Sequence, residues 1–344
     1  MKKEISALVR ANIRQLKPYS CARHEFKGKA SAFMDANENP MNDPYNRYPD
    51  PLQEALKKKI AGMKQVRPSQ IMLGVGSDEP IDLIIRIFCE PKENNIVAID
   101  PTYNMYKVCA DINNVEYRPV LLNDDFSLDA FRLLETVDER TKVIFLCSPN
   151  NPSGNILNRE EVRTILDGFG GITVIDEAYI DFSSQPSWLT ELDNYPNLII
   201  LQTFSKAWGL ASVRCGMAFA AEEIIGYLNN VKYPYNINML TQNFVSEHLD
   251  FEDRKNEWVG MLIHQRDILT ENLGELSFVE KIYPSDANFL LVKMSDPEGV
   301  YDKLAAKGVI VRKRNNLSLC KGCLRITVGT AKQNEQLIDE LKKI

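Results

Sequence analysis

Three short clusters carry side chains whose types and spacing could act together. Asp176-Glu177-Ala178-Tyr179 closes one apolar run, Thr203-Phe204-Ser205-Lys206 closes the next, and Arg214 follows eight residues after Lys206. An Asp at a strand end can hold a pyridine nitrogen protonated, a Lys can bind an aldehyde carbon, and Ser with Arg can take a phosphate. All three needs meet in pyridoxal phosphate, so the clusters predict an enzyme built around that cofactor. Rival chemistries lack their companion residues. An apolar strand ending in Asp-Glu also suits the metal-holding strand of a nucleoside triphosphatase, but the chain has no Gly-rich loop ending in Gly-Lys-Ser/Thr. Thr203 to Lys206 matches a loose Ser/Thr-x-x-Lys pattern of acyl transfer, whose companion motifs and Gly-x-Ser-x-Gly elbow are missing.

Positioning these groups requires strand ends. Ile96 to Ile99, Val143 to Cys147, Ile172 to Ile175 and Leu198 to Leu201 are short apolar runs that each stop at a polar or turn residue. Amphipathic segments separate them. Ile81, Ile84, Ile85 and Phe88 fall on one helix face, and Leu337, Ile338 and Leu341 repeat the pattern near the C-terminus. This alternation predicts an α/β domain with a mostly parallel sheet, whose ligands gather at the carboxyl ends of its strands. Leu73 to Glu79 is a small-residue stretch running into a helix expected near Pro80, where backbone N–H groups would suit a phosphate and Ser77 could equally be a plain N-cap. Ser148 to Gly154 is dense in turn residues and reads as a loop at a strand end.

The chain divides, on this reading, into an N-terminal arm over residues 1–38 packing with the small domain, a large cofactor-binding domain over 39–240, and a small α/β domain over 241–344. The small domain is expected to open on a long polar helix from Glu252 to Leu273 and to continue with strands at Asn288 to Val292, Val309 to Arg312 and Leu324 to Val328. Apolar residues at 5, 8, 9, 13 and 16 make the start of the arm amphipathic.

With 344 residues, 44% of them apolar, the chain can fill two cores. Its formal net charge of −6 comes from interspersed charges without a basic block, which argues against nucleic acid as a partner. Lys2, Lys3, Glu4, Arg10, Arg14 and Lys17 interrupt the first twenty residues, so no signal-peptide core is expected there, and no later run reaches membrane-spanning length. Seven scattered cysteines suit a reducing compartment, and the expected location is the cytoplasm. Cys320 and Cys323 are the one close pair. The histidines, His24, His248 and His264, are remote from them in sequence, so a turn before a strand is expected there and a metal is not.

The wider set of motifs resembles the fold-type I aminotransferases, and within them the histidinol-phosphate aminotransferases. The resemblance runs nearly the whole length: Pro18-Tyr19, Asn37-Glu38-Asn39-Pro40, Asn46-Arg47-Tyr48-Pro49, Gly76-Ser77-Asp78-Glu79, Pro101 to Tyr106, Asn150-Asn151-Pro152, the Asp176 and Lys206 clusters, Arg214-Cys215-Gly216, and Leu324 to Thr330. It implies a large domain with a mostly parallel seven-stranded-type sheet between helices, a smaller α/β domain and an arm. It also implies pyridoxal 5'-phosphate as cofactor, a homodimer, and amino-group transfer between histidinol phosphate and 2-oxoglutarate in histidine biosynthesis. Another enzyme of the same fold, such as a threonine-phosphate decarboxylase or an aromatic or aspartate aminotransferase, is the alternative. A cofactor-sensing module of a transcription regulator is a remoter one, and no helix-turn-helix precedes the arm here.

By this resemblance Lys206 would bind the cofactor aldehyde and carry the proton at the substrate's Cα. Asp176 would pair with the pyridine nitrogen, Tyr179 and Asn151 would bond the ring's phenolic oxygen, and Tyr103 would stack on the ring. Gly76, Ser77, Asp78, Thr203, Ser205 and Arg214 would complete the cofactor site, and Tyr48 would reach the phosphate in the neighbouring subunit. Arg325 would anchor the substrate's anionic group, with Arg312, Tyr19 and Asn37 beside it. Trp208, Ser212 and Ser153 depart from the usual family residues, and Lys313 and Arg314 make the stretch after Arg312 unusually basic.

Overall fold

The computed structural model describes residues 4–21, 25–26, 28 and 30–344. His24, Lys2 and Lys3 lie outside the described residues.

Seven strands build the main sheet: β1 (Ile71–Val75), β2 (Asn95–Asp100), β3 (Glu116–Leu121), β4 (Thr141–Cys147), β5 (Ile172–Asp176), β6 (Leu198–Thr203) and β7 (Cys215–Ala220). Their spatial order is β1-β7-β6-β5-β4-β2-β3. β7 is antiparallel to both neighbours, and the remaining pairs are parallel. The central runs are apolar on both faces because helices cover both. Val97, Ile99, Ile144, Leu146, Ile175 and Ile200 are buried on one side, and Ile96, Ala98, Val143, Phe145, Val174 and Ile199 on the other. The helix Asp78–Phe88 buries Ile81, Ile84, Ile85 and Phe88 against the second face. It starts two residues before Pro80, with acidic Asp78 and Glu79 in its first turn, where the helix dipole favours them.

A four-stranded antiparallel sheet follows, in the order β10-β11-β9-β8, from β8 (Val279–Ile282), β9 (Phe289–Met294), β10 (Arg312–Lys313) and β11 (Cys323–Thr327). Leu290, Val292, Leu324 and Ile326 pack with Leu269 and Leu273 of the helix Glu252–Gly274 and with Leu337, Ile338 and Leu341 of the helix Ala331–Leu341. A smaller cluster joins the two sheets: Tyr179, Phe182 and Ala207 from one side meet Val259, Ala287 and Phe289 from the other.

Three expectations need correction. The strand expected over Val309 to Arg312 is only Arg312–Lys313. Gly308, at φ +76°, turns the chain out of the preceding helix, and Ile310 is exposed before pairing begins. The start of the arm does not pack with the small domain. Ile5, Leu8 and Val9 are buried in the large-sheet core with Ile81, Ile84 and Phe88, Arg10 N–H donates to Ile87 O (3.0 Å), and the Arg10 side chain pairs with Glu90 (2.9 Å). The helix Met239–His248, just past the expected boundary at 240, sends Val245 into the large-sheet core as well. Among the described residues, no helix is long and apolar enough to cross a membrane.

Candidate active site

All six like-directed strands of the main sheet point their carboxyl ends to one edge, and reversed β7 starts there. Ser77 follows β1, Tyr103 follows β2, Asn151 follows β4, Asp176 ends β5, Lys206 follows β6 and Arg214 precedes β7. Twelve of the sixteen residues expected from sequence therefore line one cavity of about 1020 Å³: Ser77, Asp78, Tyr103, Asn151, Asp176, Tyr179, Thr203, Ser205, Lys206, Arg214, Arg312 and Arg325. Gly76 stands directly behind Arg214.

At the cavity floor, Asp176 is only 2% exposed. Tyr106 donates to its Oδ2 (2.7 Å) and the Ala178 N–H to its Oδ1 (3.1 Å). Burial pushes the carboxyl up to about 6, and those two donors oppose the rise. Lys206 lies in a turn locked on both sides. Buried Phe204 and Trp208 meet edge to face at 5.7 Å, and Leu210 N–H bonds back to Phe204 O (3.0 Å). Lys206 Nζ sits 5.4 Å from the Tyr179 ring centre. Its pKa is lowered, first by burial and then by the charge on Arg325.

The opposite wall suits a phosphate. Gly76 has φ +69°, and a Cβ there would come within 2.4 Å of Arg214 Nη2. A Cβ on Gly216 would lie 2.3 Å from Ser77 N. The absence of both methyl groups lets the Ser77 backbone, the start of helix Asp78–Phe88 and Arg214 converge. Arg214 makes long contacts, 3.4 Å to Ser205 Oγ, 3.3 Å to Ala211 O and 3.4 Å to Asp78 Oδ2, which an anion could replace. Asp78 also accepts from Tyr103 OH (2.9 Å). A buried carboxylate, a lysine whose pKa is lowered by burial and a side-chain-free cradle beside a guanidinium fit pyridoxal 5'-phosphate.

From the small sheet, Arg325 reaches across to donate to Asn151 Oδ1 (2.5 Å), with its guanidinium 5.2 Å from the Phe289 ring centre. Three of the expected residues stand outside this cavity within one chain, which for Tyr48, expected at the neighbouring subunit's phosphate, is no departure. Tyr19, 71% exposed, and Asn37, also exposed, stand on the N-terminal segment away from the cavity. Tyr48 lines a separate hollow of about 610 Å³ and stacks on Tyr235 at 4.5 Å. Sequence reasoning gave no role to Tyr106, which lay in a quoted motif, and none to Arg314, which also lines the cavity. Cys320 and Cys323 are buried and unpaired, joined by a Cys323 N–H to Cys320 O turn bond (2.9 Å) before β11.

A family model described as aminotransferase class I and II matches residues 22–341. The chain belongs to the class I and II aminotransferases. It is an aminotransferase, and its cofactor is pyridoxal 5'-phosphate. It is 56% identical over 342 residues to a histidinol-phosphate aminotransferase of Bacteroides fragilis (strain YCH46), covering 99% of each chain. Among solved structures, this aminotransferase is similar to the histidinol-phosphate aminotransferase from Clostridium acetobutylicum, with TM-score 0.81 and 25% identity over 87% of this chain and 90% of that one. The Sinorhizobium meliloti histidinol-phosphate aminotransferase in complex with pyridoxal-5'-phosphate shares the fold, with TM-score 0.79 and 21% identity over 86% of this chain and 83% of that one.

Proposed function

We propose that the cavity moves an amino group between histidinol phosphate and 2-oxoglutarate, giving imidazole acetol phosphate and glutamate in histidine biosynthesis. Full-length relatives of that activity support the substrate pair. The observation that carries the reading is Arg325, which shares a cavity with Lys206 and is bonded to Asn151, so that a substrate's anionic group and its Cα can be held at once.

Bound pyridoxal 5'-phosphate supplies the electron sink for the bond broken at Cα. The protein's residues supply the rest. Lys206, its charge disfavoured by burial and by Arg325, takes the Cα proton as a neutral amine and returns it. Asp176, oriented by Tyr106 and the Ala178 N–H, would hold the cofactor by its ring nitrogen and favour that nitrogen's protonated form. Asn151, Tyr179 and Tyr103 would hold the cofactor's ring, and Arg214, Ser205, Ser77, Asp78, Thr203 and Gly76 would hold its phosphate. Arg325 and Arg312 take the substrate's carboxylate in one half of the reaction and its phosphate in the other.

Tyr48 is 52% exposed and remote from its own chain's cavity, beside Phe26 and Tyr235 in the separate hollow. That position supports a homodimer in which Tyr48 completes the neighbouring site, with Tyr19 and Asn37 near the same seam. Seven unpaired cysteines suit a cytoplasmic enzyme.

The test is to mix holoenzyme with histidinol phosphate and no keto acid, following the cofactor's visible absorbance. Conversion to the amine form is expected within one turnover, with 2-oxoglutarate restoring the original band. A band unmoved by histidinol phosphate but moved by another amine would overturn the substrate. Lys206→Ala should keep the fold and lose at least about a thousandfold in turnover.

A further inference from the structure

The pairing of β10 with β11 lays a run of three basic residues along β11. Arg312 stands opposite Arg325 in the register and Lys313 opposite Leu324. Arg314 N–H then donates to Cys323 O (3.1 Å), which continues the ladder one residue past β10. Because strand side chains alternate, Arg312 and Arg314 share the cavity face with Arg325. All three line the cavity that holds Lys206. Lys313 between them also borders the cavity, but its amine is held by Glu298 and Asp302.

No such neutralisation meets the three arginines. Among the described residues, none of them has a carboxylate partner within ion-pair distance, whereas Lys313 between them has two. The Nε atoms of Arg314 and Arg325 are buried without a hydrogen-bond partner. Burial, and then the charges of Arg325 and Arg312, lowers the Arg314 guanidinium to about 10. Three guanidinium groups gathered without an anion repel one another and leave buried donors unmet, a cost that a multivalent anion removes. A carboxylate offers two oxygens and one charge, while a phosphate monoester offers three and nearly two.

Building on the substrate reading above, we infer that Arg314 is a third substrate-binding arginine, one that sets the preference for a phosphate monoester over a plain carboxylate. Arg312 and Arg325 suffice for glutamate's carboxylate, and Arg314 is engaged by the larger dianion.

The experiment compares wild-type and Arg314→Gln holoenzymes for KM with histidinol phosphate, KM with glutamate, and competitive inhibition by inorganic phosphate. The variant should raise KM for histidinol phosphate about tenfold more than KM for glutamate, and weaken phosphate inhibition by a similar factor. Equal changes in both KM values, or no change in either, overturn the assignment. Arg314→Lys keeps the charge without the fork and should fall between, at about threefold, which also serves if the glutamine variant does not fold. Should wild type fail to use histidinol phosphate, the substrate reading falls. The phosphate-inhibition comparison then decides Arg314 alone, with undiminished inhibition in the variant counting against it.

Discussion

Asp176 combines full burial with two hydrogen bonds, and the balance between them sets its charge. Its carboxyl titrates at about 6, above the ordinary value of 3.8, so without cofactor the folded chain binds this proton more tightly than the unfolded chain does. That contribution to stability is present below about pH 4 and is lost as the pH rises through 6. Tyr106 opposes the shift by donating to the ionised form. Tyr106→Phe should therefore raise the carboxyl of the cofactor-free protein further and weaken cofactor binding, most on the acid side of its pH profile. Superimposable profiles for the two proteins would refute this role for Tyr106. At this scale the acid, the lysine and the arginines could be singled out in the sequence because each is an unusual type at a strand end, and the fold brings them to one cavity. The sequence did not reveal what Tyr106 does, because its partner is 70 residues away and only the sheet order brings them together.

Elements place these groups through close backbone approach. Gly216 of β7 faces the turn from β1 into helix Asp78–Phe88, and the atoms a Cβ would strike, Ser77 N and the carbonyl group of Gly76, are backbone that cannot rotate away. Gly216→Ala should destabilise by about 2–3 kcal/mol in denaturant unfolding and reduce cofactor affinity, since the cradle itself must shift. Gly76→Ala meets a movable side chain, Arg214, although its φ of +69° adds backbone strain. It should cost only about 1–2 kcal/mol in stability, with about tenfold weaker cofactor binding in a titration as its main effect. The four apolar runs read from sequence became β2, β4, β5 and β6, all buried on both faces. Four other strands escaped that reading for separate reasons. β1 merges into its glycine-containing loop, β7 is made largely of small residues, β3 is an exposed edge strand carrying Pro119, and β8 has a bulge between Val279 and Lys281.

Across the whole molecule, the first residues act as part of the large-sheet core. Leu8→Ala should cost about 2–4 kcal/mol of stability, measured by denaturant unfolding, without changing KM for either substrate. An unchanged midpoint would return these residues to the role of a loose arm. The proposed two-chain site makes a sharper prediction. Lys206→Ala and Tyr48→Ala proteins should each be nearly inactive, yet after subunit exchange their mixture should regain roughly a quarter of wild-type activity, because hybrid dimers carry one intact site. No recovery despite proven exchange would sink the shared site. The change in pattern after residue 240 anticipated a second sheet, which begins at β8. The arm's true surface was not legible, since amphipathic spacing reports that a face is buried and says nothing of what covers it.

The reversal of β7 has a consequence for redesign. Because β6 and β7 form a hairpin, Lys206 and Arg214 ride on one short connection, and with β1, β2, β4 and β5 the main sheet carries the groups that one chain offers the cofactor within its own cavity. The arginines assigned to the substrate sit on β11 and in and just past β10. Chemistry and selectivity are thus encoded on separate sheets that meet at Asn151 and Arg325. Changes confined to Arg312, Arg314 and Arg325 should therefore shift substrate preference more than cofactor binding, which KM values and a cofactor titration on the same variants would check.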